Sequence, residues 1–110
     1  MILIGTMVGK VYVFNYNQQT IESKMLEAQR DNGVKFLSFD SEDEQYVVFA
    51  TKRGLLGKNN IHDAFDSKEV ESGVFDVSTA DYSFGDNKIY FGTADGKIHS
   101  HIFGDPEEQM

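Results

Sequence analysis

His99 and His101 are the one pair of side chains spaced to share a metal ion, because residues two apart on a strand project to the same side. A third ligand would have to come from His62, Asp63 or another chain. Nothing in the sequence places one there, so the pair reads as strand histidines that face solvent or a subunit, and neither metal nor other cofactor is expected. Ser100 lies between them, but alternate strand residues point apart, so neither imidazole can act as its base, and the chain has no Cys to serve as a nucleophile. Gly5-Thr6-Met7-Val8-Gly9-Lys10 and Gly92-Thr93-Ala94-Asp95-Gly96-Lys97 look like phosphate loops. A Walker sequence, however, has four residues between its glycines and then Lys-Ser/Thr opening a helix, whereas three stand here and an aliphatic residue follows. They read as turns. Asp40-Ser41-Glu42-Asp43-Glu44 resembles the start of a calcium loop, yet the sixth position is Gln45 and the twelfth Thr51, where Gly and Glu are needed. It reads as a solvated turn, and no catalytic residue is assigned.

The elements that must position any site are bounded by composition. A chain of 110 residues has room for one domain, and 40% apolar residues with nine Phe and five Tyr suffice for a core. A net charge of -8 repels nucleic acid and anionic membranes, and the basic residues do not cluster. The absence of Cys and of Asn-x-Ser/Thr acceptors fits a reducing, cytoplasmic setting. Met1 to Lys10 contains no basic segment before an apolar run, and no stretch approaches the ~20 apolar residues of a spanning helix.

Internal similarity organises the chain. Gly5-Thr6-x-x-Gly9-Lys10-Val11 recurs as Gly92-Thr93-x-x-Gly96-Lys97-Ile98, with a weaker copy at Ala50-Thr51-Lys52-Arg53-Gly54-Leu55, at steps of 45 and 42 residues. Each copy follows an apolar run: Ile2-Leu3-Ile4, Tyr46 to Phe49, and Ile89-Tyr90-Phe91. A strand ending in Gly-Thr that turns through two residues and leaves by a Gly at φ > 0 returns antiparallel beside itself, which predicts complete hairpins at Ile2 to Phe14 and Ile89 to Ile102 and a short, broken return strand after the second copy. A second marker, Asn32-Gly33-Val34 to Phe39, matches Ser72-Gly73-Val74 to Thr79 at a step of 40. Thr20 to Arg30 has helix formers, but the repeat requires an outer strand at about 20–26, and the strand is preferred. Gly57 to Phe65 reads as a loop or helical turn, broken at Gly57. Strands are expected in groups of three, four and three, over residues 1–104, with an acidic tail at 105–110.

These residues resemble the WD-repeat family of β-propellers. Gly33-Val34-Lys35-Phe36-Leu37-Ser38-Phe39-Asp40, an acidic turn and Tyr46-Val47-Val48-Phe49-Ala50-Thr51 follow its blade, and Phe14-Asn15 stands where Trp-Asp would. The chain has no Trp, Arg30 to Gly33 lacks the family His, and His101-Ile102 replaces Trp-Asp in the last copy. Quinoprotein-type propeller blades are nearly as close a match. The resemblance implies an all-β fold of about two and a half four-stranded blades, whereas closed rings need about four to eight. It further implies a non-catalytic interaction or scaffold subunit that completes its ring with itself or with another protein. The open strand edges would lie at Ile2, Ile4, Ile98, Ser100 and Ile102. The alternative function is binding of a small ligand in a pocket between subunits, lined by Tyr12, Phe14, Tyr90, His99 and His101.

Overall fold

Ten short strands carry the apolar runs. They are β1 (Ile2–Gly5), β2 (Val11–Asn15), β3 (Thr20–Met25), β4 (Val34–Phe39), β5 (Tyr46–Thr51), β6 (Leu55–Asn60), β7 (Ser67–Glu71), β8 (Val77–Ser83), β9 (Lys88–Thr93) and β10 (Ile98–Ile102). The structure is a computed structural model that describes residues 1–104, so the acidic tail at 105–110 lies outside the described residues. The fold is all-β, with strands forming 54% of it and no helix among the described residues. Three antiparallel sheets hold three, four and three strands, in the orders β1-β2-β3, β4-β5-β6-β7 and β10-β9-β8, and none closes into a barrel.

The repeated Gly-Thr turn builds one hairpin three times. Gly9, Gly54 and Gly96 take φ of 85°, 88° and 87°, and each amide donates to the carbonyl of Thr6, Thr51 or Thr93 three residues earlier. Any side chain at such a φ would be strained, which is why the pattern keeps glycine. The Thr hydroxyls add a second tie, accepting from Lys10 N at 3.0 Å and from Leu55 N at 3.1 Å. The return strands pair in identical register, Gly5 with Val11, Ala50 with Leu56 and Gly92 with Ile98.

The second marker is shifted from the register expected of it. Val34 and Val77, not Val34 and Val74, open the equivalent strands β4 and β8, each followed by a bulge. Two equivalent bonds fix this match: Lys52 N donates to Gly33 O, and Ala94 N, at the same repeat position, donates to Asp76 O. The true step is therefore 43, and Gly73 to Asp76 are loop residues whose Gly-Val is a coincidence of composition.

Thr20–Met25 forms the outer strand β3 despite its helix formers, since pairing with β2 buries Met25 against Val11. Tertiary burial outweighs a propensity difference of a few tenths of a kcal/mol per residue. The loop expected from Gly57 onward is instead strand β6 through Asn60, paired on both sides. Gly57 lies opposite Phe49, and the Phe49 ring occupies the space where a Cβ at Gly57 would stand. The glycine accommodates a ring rather than ending a strand. The turn follows at Ile61 to Asp66, held by Asn60 Oδ1 accepting from His62 N and Asp63 Oδ1 accepting from Phe65 N.

The three sheets stack face to face. One cluster joins Val11, Val13 and Met25 of the first sheet to Val47 of the second, with Leu37 and Phe39 packed alongside. The other joins Val48, Ala50 and Leu56 of the second sheet to Val77, Ile89 and Phe91 of the third. The second sheet is thus covered on both faces, and Val47 to Thr51 form a continuous buried run without alternation.

Candidate functional site

Pleating sorts the singled-out residues onto faces. Ile2, Ile4, Tyr12 and Phe14 share the outward face of the first sheet, because Ile2 pairs with Phe14 and Ile4 with Tyr12 while Leu3 and Val13 point inward. Tyr90, Ile98, Ser100 and Ile102 share the outward face of the third sheet, opposite Ile89 and Phe91. These two groups lie at opposite ends of the stack.

His99 and His101 point inward instead, against the expectation that they face solvent or a subunit. His99 stacks on Phe91 with ring centroids 5.4 Å apart, and His101 meets Phe103 edge-on at 5.1 Å. Burial pushes the His101 imidazole below its ordinary pKa, so its neutral form is favoured in the fold. β10 thereby turns its two histidines to the core and leaves Ile98 and Ile102 outside, the reverse of what water alone would select.

The hairpin register makes the repeats comparable position by position. Ile2 corresponds to Val47 and Ile89, Ile4 to Phe49 and Phe91, and Ile98 to Val11 and Leu56. Ile2 is 46% exposed whereas Val47 and Ile89 are 0%; Ile4 is 45% exposed whereas Phe49 is 0% and Phe91 3%. Ile98 is 81% exposed whereas Val11 and Leu56 are 0%. The outward faces of the first and third sheets are therefore copies of faces that are buried elsewhere in the same chain.

The first and last strands, β1 and β10, are sheet-edge strands, as are β3, β4, β7 and β8. The Lys97 carbonyl accepts from Thr93 N and Phe103 N donates to Asn87 O, so His99 and His101, which alternate with these, bond toward β9. Amides of Ile98, Ser100 and Ile102 consequently point away from the sheet, and no strand pairs with that side of β10 among the described residues. The same alternation from the Thr6–Lys10 bond turns the amides of Ile2 and Ile4 toward β2. Ile2 and Ile4 offer side chains, and Leu3 and Gly5 carry the free amides of β1.

A polar network between the second and third sheets escaped the sequence reading. Lys58 Nζ donates to Asn87 Oδ1 at 2.9 Å and to Tyr82 Oη at 3.2 Å, lies 3.8 Å from Asp40, and sits over the rings of Tyr46 and Tyr82. Tyr82 Oη donates to Asn87 Oδ1 at 2.8 Å, and Asn87 Nδ2 to Phe103 O at 2.7 Å. Tyr46 donates its hydroxyl proton to Asp66, a bond that raises the phenol above its usual pKa and lowers the carboxylate. Burial raises the Tyr82 phenol too. The Lys58, Tyr82 and Asn87 bonds tie the second sheet to the third, and the Tyr46–Asp66 bond ties β5 to the turn before β7 within the second sheet. The signal was a lysine at the repeat position held by Val13 and Ser100, visible only once the register is known.

A comparison with models of known protein families finds no match, and a comparison with curated proteins finds none either.

Proposed function

We propose that the chain is a non-catalytic interaction subunit, built of WD-like propeller blades and working in the cytoplasm, whose terminal faces and edges are covered by another protein chain. The observation that carries this is the exposure of Ile2, Ile4 and Ile98 at repeat positions that are otherwise sealed. Burying a side chain of this size is worth about 1.5–3 kcal/mol, so contiguous apolar positions of this kind favour association. The open edge of β10 adds backbone donors to which a strand can pair. Binding of a small ligand between subunits draws less support, because both histidines of the lining set face inward, His99 against Phe91 and His101 against Phe103.

Amide exchange tests the reading. Amides of Ile98, Ser100 and Ile102 should exchange rapidly in the dilute free chain and slowly in its assembled form, while those of His99 and His101 stay protected in both. Equal protection of all five in both states would mean that the chain closes its own edge, and the proposal would fail.

A further inference from the structure

We infer that the occupant of the exposed faces is a second copy of this chain, with the outward face of the third sheet seated on the outward face of the first sheet of its partner. The inference rests on the reading above and adds the identity and geometry of the partner. Inside the chain there are two sheet-to-sheet contacts, and they are of one kind. The first sheet applies the face bearing Leu3, Val11 and Val13 to the second-sheet face bearing Val47 and Phe49. The second sheet then applies the equivalent face, with Val48 and Leu56, to the third-sheet face bearing Ile89 and Phe91.

Repeating this step once more requires the third-sheet face bearing Tyr90 and Ile98 to meet a face of the type that Val47 and Phe49 form. The first sheet displays such a face, through Ile2 and Ile4, and leaves it uncovered. Within one chain the two cannot meet, since the second sheet stands between them. Between two chains they can. The contact is heterologous, so repeated application either closes a ring or runs on as a filament. Closed propellers hold about four to eight blades. With three sheets per chain, two copies supply six and satisfy that range, whereas three copies would supply nine. The structure thus points to a head-to-tail dimer with two identical contacts around a two-fold axis.

Light scattering of the purified full chain, with two face variants, tests this. The wild-type chain should run at about 25 kDa, twice the 12.4 kDa of one copy, at micromolar concentration and dissociate on dilution. Ile4→Glu and Ile98→Lys alter residues that are solvent-exposed in the single chain, so each should fold, as a cooperative melt would verify. Each alone should run at 12.4 kDa, because every contact then includes one damaged face. Mixed in equal amounts they should return to about 25 kDa, since one contact then joins two intact faces and the other carries opposite introduced charges, from Ile4→Glu and Ile98→Lys, on its two facing sheets. Single variants that remain dimeric, a mixture that stays monomeric, or a wild-type chain forming a ladder of larger masses would overturn the inference. So would a wild-type chain that is monomeric at every concentration. If Ile4 and Ile98 of such a monomer are nevertheless shielded inside its own cell, a different chain covers them and the interaction reading survives. If they are not shielded, both fail.

Discussion

Replacing Gly57 by Ala is expected to destabilise the fold by about 3 kcal/mol or more. On an ordinary strand the same change would be favourable by about 0.5–1 kcal/mol, because glycine has more backbone freedom to lose. Here the added Cβ would stand inside the Phe49 ring, which is fully buried at the centre of the second sheet. The ring must leave its site, and displacing a large core side chain costs about as much as deleting one. Denaturant midpoints of Gly57→Ala in the wild-type and Phe49→Leu backgrounds measure the effect. The penalty should shrink in the Phe49→Leu background, where no ring occupies the space. A stabilising Gly57→Ala in the wild-type background would show that the ring lies elsewhere.

Lys58→Met is expected to cost about 3 kcal/mol, the low end for breaking a buried ion pair, because it leaves the largely buried Asp40 carboxylate without its cation. It also strips a donor from Asn87 and Tyr82 at the contact between the second and third sheets. Adding Asp40→Asn to Lys58→Met should recover part of the loss, since a neutral amide at that position no longer needs a counter-charge. The loss should change little with salt, as the Lys58 and Asp40 side chains are only 16% and 7% exposed. If Lys58→Met is neutral in a chemical melt, the network is not what joins these sheets.

How much of this was readable in advance follows from the range of each interaction. The hairpin turns were legible because their demand is local: φ near 85° at Gly9, Gly54 and Gly96 restricts the residue type whatever surrounds it. The grouping of strands into three, four and three was legible from the same turns. Gly57 was misread because its reason is the ring of Phe49 on the neighbouring strand, eight residues earlier, and not anything local to Gly57. Val74, rather than Val77, was taken as the equivalent of Val34 because a Gly-Val pair carries no information on register, whereas the Lys52–Gly33 and Ala94–Asp76 bonds do. The histidines on β10 could not be oriented from alternation alone, which gives two faces without saying which one the protein covers. Lys58, Asp40, Tyr82 and Asn87 converge from two strands and two turns, so no spacing in the sequence announces them.

The claim on which the functional reading depends is that the faces at Ile4 and at Tyr90 and Ile98 are covered in the cell. Hydroxyl-radical footprinting measures this directly, on the dilute purified chain and on the same chain inside the intact cells that make it. Oxidation of Ile4, Tyr90 and Ile98 should be several-fold slower in the cell, while Phe65, which is fully exposed on the turn after β6, should react equally in both. Equal rates at Ile4, Tyr90 and Ile98 in the two settings would contradict it, leaving two apolar faces that no other protein occupies.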